Sequence, residues 1–143
     1  PVEPVVLDEL EDWSSFDDEK VKYYSGSAVY ITTLNLEEIP DADIFINLGN
    51  VGVMAEVKVN GQEIGGTWLA PFRLNLNNSL KTGENRLDIT VVNTWRNRLA
   101  KDKMLPEDQK LTWHLVDDIK RGEKLQPSGL IGPVTIEGNI DSH

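Results

Sequence analysis

The sequence predicts an all-β domain of the β-sandwich class. Three observations carry that reading. β-branched and aromatic residues gather in short runs, of which Ser27 to Leu36 is the clearest. Val53 to Val59 and Arg86 to Asn93 alternate apolar and polar side chains with a period of two. Turn residues separate these runs at fairly regular spacing, and helical periodicity is almost absent.

The elements follow in order. Residues 1–22 read as an acidic lead-in, solvated through Asp8, Glu9, Glu11, Asp12, Asp17, Asp18 and Glu19, with the folded domain over 23–140. Ser27 to Leu36 is the first strand, and Pro40-Asp41-Ala42-Asp43 turns the chain into a second at Ile44 to Leu48. After the Gly49 to Gly52 loop, Val53, Ala55, Val57 and Val59 share one face of a third strand. Asn60-Gly61 closes a hairpin, because both residues of such a turn need φ > 0. The return strand starts at Gln62 and meets a break or bulge at Gly65-Gly66. Pro71 to Leu76 is another short strand, and Thr82-Gly83-Glu84-Asn85 is a turn. Leu87, Ile89 and Val91 then line the buried face of the next strand. An irregular stretch runs from Thr94 to Ser128, with a candidate strand at Leu111 to Leu115 and a helical turn at Val116 to Arg121. Gly129 to Ile136 is the last strand.

Composition limits what such a domain does. With 143 residues, 39% hydrophobic and 27% charged, the chain is long enough for one domain with a sizeable core. No apolar run approaches the ~18–20 residues of a membrane helix. The net charge of −10 repels phosphate backbones and anionic lipid, so neither nucleic acid nor a membrane is an expected partner. The absence of cysteine excludes disulfides, thiolate catalysis and Cys-ligated zinc. The first residue is Pro1, which suggests a processed chain or a piece of a longer one.

The richest segment runs from Val92 to Asp102. It holds Trp95, the guanidiniums of Arg96 and Arg98, the carboxamides of Asn93 and Asn97, and the Asp102 carboxylate. A loop of that composition has two uses. It hydrogen-bonds itself into a rigid rim, with Arg98 paired to Asp102 or Glu107 and Asn97 capping backbone groups. Alternatively it presents an aromatic face and planar donors to a polar ligand, which is what sugars require.

Several motifs resemble one known family. Tyr24 to Tyr30 is similar to the opening strand of the sugar-binding β-sandwich of glycoside hydrolase family 2. Val57-Lys58-Val59-Asn60-Gly61 through Gly65 resembles its V-x-V-N-G-x-x-x-G hairpin, and Trp68 to Leu74 its W-x-x-P-[FY] segment. Leu80 to Leu87 is similar to its L-K-x-G-x-N-x-L turn, and Ser128 to Val134 to its entry into the last strand. These matches keep the family's order from about Trp13 to Ile136. Asn93 to Asp102, followed by Leu105-Pro106-Glu107, is most similar to the version in large rhamnosidase-type and related bacterial polysaccharide-degrading enzymes.

The resemblance implies a galactose-binding-like jelly roll. It implies an accessory module of a multidomain hydrolase, secreted to the periplasm or exterior, with the catalytic carboxylates on another module. A TIM barrel, often that module, needs roughly 200 residues or more and does not fit here. The expected partners are carbohydrate and the other modules of the same polypeptide. The expected ligand-binding residues are Trp95, Asn97, Arg98, Asp102 and Trp68. Trp68 has a second reading as a core or edge plug, and the whole domain a second reading as an interdomain scaffold without a sugar site. No cofactor is expected beyond a possible structural calcium. Its candidate ligands are Asp102, Glu107 and Asp108, whose spacing is no calcium-loop signature. No pair among the 24 acidic residues stands out as a catalytic couple. His114, beside Trp113, lacks a Ser or Cys partner motif, and His143 is terminal.

Overall fold

The computed structural model describes residues 4–111 and 122–139. Among these residues nine strands form antiparallel sheets: β1 (Gly26–Leu36), β2 (Asp43–Asn47), β3 (Asn50–Val51), β4 (Met54–Val59), β5 (Gln62–Thr67), β6 (Arg73–Asn75), β7 (Gly83–Asn93), β8 (Leu130–Gly132) and β9 (Thr135–Asn139). A four-stranded sheet has the order β1-β7-β4-β5, and a three-stranded sheet the order β6-β2-β9. β3 and β8 make a separate short pair. This is the expected all-β sandwich.

The alternating residues supply its core. Ala55, Val57 and Val59 of β4 and Leu87, Ile89 and Val91 of β7 are buried with Ile44 and Ile46 of β2, Leu48, Leu76 and Leu130. Each fully buried Val, Leu or Ile side chain contributes about 1.5–3 kcal/mol by leaving water. Val53, expected on the same face, is instead exposed and lies just before β4, which begins at Met54.

Turn chemistry is as the sequence predicts at the β4–β5 hairpin. Asn60 and Gly61 have φ of 50° and 82°, both in the left-handed region. β5 passes through Gly65-Gly66 without ending, and its register against β4 slips there. β7 already begins at Gly83, so Glu84 and Asn85 belong to the strand rather than to a turn. The last strand is split: Pro133, which has no N–H to give a ladder, separates β8 from β9.

Two findings depart further from the sequence reading. The stretch after β7 contains a helix, α2 (Arg96–Asp102), preceded in the chain by a short α1 (Glu19–Lys22). Its buried residues are Asn97, Ala100 and Asp102. Two of those three are polar, so no apolar stripe announces the helix. The lead-in is also tied to the sandwich. Trp13 sits in a 3-10 turn (Trp13–Ser15), is buried, stacks on Tyr30 at 6.1 Å and meets Tyr24 edge-on at 5.7 Å. A Cβ at Gly129 would lie 2.6 Å from Trp13 Nε1, so only glycine admits the indole there. The Asp12 carboxylate accepts from Ser14 N at 2.9 Å and from Ser128 N at 3.0 Å. The candidate strand and helical turn in 111–121, with Trp113 and His114, lie outside the described residues apart from Leu111, and His143 does as well.

Candidate functional site

The strand register sets what can meet at one end of the four-stranded sheet. Met54 at the start of β4 pairs with Val92 near the end of β7, and Ala55 pairs with Thr67 at the end of β5. β7 and β5 therefore deliver their following residues to the same end, with β4 between them. Two inter-strand steps put those exits about 10 Å apart. Trp95 follows β7 by two residues and Trp68 follows β5 by one. Their exposures are 60% and 66%. The core or edge plug reading of Trp68 does not describe such a residue. Val53 and Leu69 add exposed apolar surface at this end.

Leu69 is not among the expected ligand-binding residues. The signal was present: Trp68-Leu69-Ala70-Pro71 is the apolar connection between β5 and β6. Those strands belong to different sheets, so the connection must cross the sandwich edge in the open. The Thr67 hydroxyl donates to the Leu69 carbonyl at 3.2 Å and so tightens the bend.

The polar candidates are placed differently. Asn97 is buried, donates from Nδ2 to the Gln126 carbonyl at 2.7 Å, and accepts from Gln126 N at 2.7 Å. Asp102 is buried too, one helical turn beyond Arg98, whose Nη2 stands 3.3 Å from Asp102 Oδ1. The Arg98 side chain is itself largely covered. These three expected ligand contacts thus engage the protein's own interior, because α2 turns them inward.

The same helix is held from outside. Arg96 pairs with Glu123. Lys101 Nζ donates to Glu19 of α1 at 2.8 Å and lies 5.0 Å from the Tyr23 ring centroid. That hydrogen bond and the lysine's charge hold the Glu19 carboxyl below its usual range. Near the core, burial pushes the Tyr30 phenol up, against hydrogen bonds from Leu130 N and Trp13. These contacts brace α2, and the exposed Trp95 indole stands at its start.

The calcium candidates do not converge. Asp102 faces Arg98, and Glu107 pairs with Lys110. Among the described residues no three Asp, Glu or His groups are placed to share a metal ion. The donor set does not fit the six to eight oxygens that calcium takes. Among the described residues no helix is long and apolar enough to cross a membrane.

No family model matches the chain. It is 36% identical to the "Putative beta-glucuronidase" of Formosa agariphila, over 94% of this chain and 14% of that protein. Among solved structures it matches a rhamnosidase from Novosphingobium sp. PP1Y with a TM-score of 0.81 and 39% identity, over 91% of this chain and 12% of that one. A beta-glucuronidase from Ruminococcus gnavus shares the fold, with a TM-score of 0.56 and 24% identity over 64% of this chain and 16% of that one. The chain spans about one seventh of the length of the curated relative. Its homologues are thus glycoside hydrolases, and it corresponds to one small, all-β part of them.

Proposed function

We propose that this chain is a non-catalytic β-sandwich module of a larger glycoside hydrolase, and that the end carrying Trp68 and Trp95 is its working surface. The observation that carries the reading is the pair of indoles, both more than half exposed, that β5 and β7 deliver to one end of the sheet. An exposed indole stacks on the C–H face of a sugar ring or anchors a neighbouring module. The first role makes the module one that binds or positions glycan near a cleft formed elsewhere. The small share of each homologue that the chain covers supports placing catalysis on another module of the parent. Export to the periplasm or exterior goes with this reading, since polysaccharides are met there.

A second reading is favoured by one observation: Leu69 and Val53 extend the exposed surface with purely apolar groups. Such a surface suits a protein neighbour, and the domain would then be a scaffold with no sugar site. An NMR titration with neutral and acidic oligosaccharides separates the two. Saturable shifts on the Trp68 and Trp95 indole N–H groups, lost in Trp68→Ala and Trp95→Ala, support glycan positioning. Unshifted indoles across the panel, with the fold intact, overturn it in favour of the scaffold.

A further inference from the structure

The edges of the two sheets differ in how they are defended. β5 carries Glu63 and the register slip next to Gly65. β6 is three residues long and starts with Arg73, and β9 carries Glu137. Charges, bulges and short length are the devices that keep edge strands from pairing with other chains. β1 has none of them. It spans Gly26–Leu36, pairs with β7 along its whole length, and contains no charged residue and no proline. Among the described residues no other strand pairs with its outer edge. Val29 and Ile31 are 55% and 60% exposed on the outer face of that edge.

We infer that β1 is a self-association edge, and that its occupant is β1 of a second copy of this chain, paired antiparallel about Ile31. The choice of occupant rests on self-complementarity. A two-fold axis at Ile31 sets it opposite Ile31 of the second copy, and Val29 opposite Thr33. These β-branched cross-strand pairs stabilise antiparallel ladders, with no charge buried or opposed. On the other face Ala28 meets Leu34 and Tyr30 meets Thr32. Each residue and its mate share sequence parity, so the outward amides of one copy meet the outward carbonyls of the other. The Tyr24 hydroxyl donates to the Ser27 carbonyl at 3.0 Å, so the seam is drawn over 28–34. The result is one continuous sheet of eight strands.

The net charge of −10 on each copy opposes association, so the dimer is weakest at low salt. Raising salt from about 0.01 M to about 1 M cuts the Debye length from ~30 Å to ~3 Å and removes that repulsion. Sedimentation velocity of the 143-residue chain over this range tests the proposal. The expected result is a concentration-dependent dimer that tightens with salt. Ile31→Lys sets two lysines face to face and weakens it at least about tenfold. Mixing the Ile31→Lys and Ile31→Glu chains restores a dimer of one copy of each. Ile31 is exposed, and circular dichroism checks that both variants are folded. A wild-type chain that stays monomeric at every concentration and salt overturns the proposal. So does an Ile31→Lys chain that dimerises as the wild type does.

Discussion

The Asn97 side chain and the Gln126 backbone exchange two hydrogen bonds, each 2.7 Å long, across 29 residues of sequence. The carboxamide acts as a piece of strand, giving the Gln126 N–H and C=O the partners a ladder would supply. Asn97→Ala strands both backbone groups, and a buried polar group without a partner costs about 1–3 kcal/mol. Urea unfolding of Asn97→Ala is expected at a lower midpoint with an unchanged slope. An unaltered midpoint would show that water satisfies Gln126 as well as Asn97 does.

Arg98 gives a sharper contrast. Its guanidinium faces a buried Asp102 carboxylate, so its loss leaves a charge with less compensation. Removing one partner of a buried pair costs about 3–5 kcal/mol, and Asp102's further contacts reduce that here. Arg98→Ala should lower the melting temperature clearly, whereas Trp95→Ala, three positions earlier and exposed, should barely move it. Equal melting temperatures for the two variants would assign Arg98 to the surface instead.

These residues show what was legible beforehand. Ala55, Val57 and Val59, and Leu87, Ile89 and Val91, revealed their strands because one face is buried and the period is two. Asn60-Gly61 revealed its turn because few dipeptides accept two positive φ values. α2 stayed hidden because the side it turns inward carries Asn97 and Asp102, and hydrophobic periodicity is blind to polar burial. The composition of 92–102 marked the segment as special. It did not show which side chains face out, since that depends on where Gln126 and Glu19 arrive from distant sequence.

Asn85 predicts a second stability hot spot. It is fully buried, accepts from Lys81 N and Asn60 Nδ2 at 2.9 Å each, and donates to the Lys81 carbonyl at 2.8 Å. It thereby joins the entrance of β7 to the β4–β5 hairpin. Asn85→Leu keeps the volume and orphans several polar groups, with an expected loss of about 2–4 kcal/mol. Asn60→Gly keeps the turn conformation and loses the side-chain bonds only, so its loss should be smaller. Chemical denaturation of both variants checks the order, and a larger loss for Asn60→Gly would contradict it.

Glu137 predicts the acid limb of stability. Hydrogen bonds from Asn47 and Arg73 hold its carboxyl below the usual glutamate range. A lowered folded value means the interaction is in force at neutral pH and is lost as the pH falls through that value. It ties β9 to β2 and β6, since Asn47 lies on β2 and Arg73 on β6. The group is partly exposed, so the effect is modest and screened by salt. Stability measured at pH 7 and at about pH 3 should fall less for Glu137→Gln than for the wild type. Identical falls would remove Glu137 from the acid response.

Trp13 and Trp68 should behave as opposites. Trp13 is buried against Tyr24 and Tyr30, and its backbone N–H donates to Ser128 at 3.1 Å, so it fastens the lead-in to the strand pair β3–β8. Trp13→Ala opens a cavity where the glycine at 129 already leaves no side chain to fill it. Truncating a buried Trp costs about 3–5 kcal/mol. Trp68→Ala removes a mostly solvated indole and should leave the melting temperature within a degree or two, about the effect of a surface change. Thermal unfolding followed by circular dichroism reads both variants. If Trp13→Ala unfolds with the wild type, residues 4–22 are dispensable to the sandwich; if Trp68→Ala melts early, its indole works inside the fold and is unavailable as a contact surface.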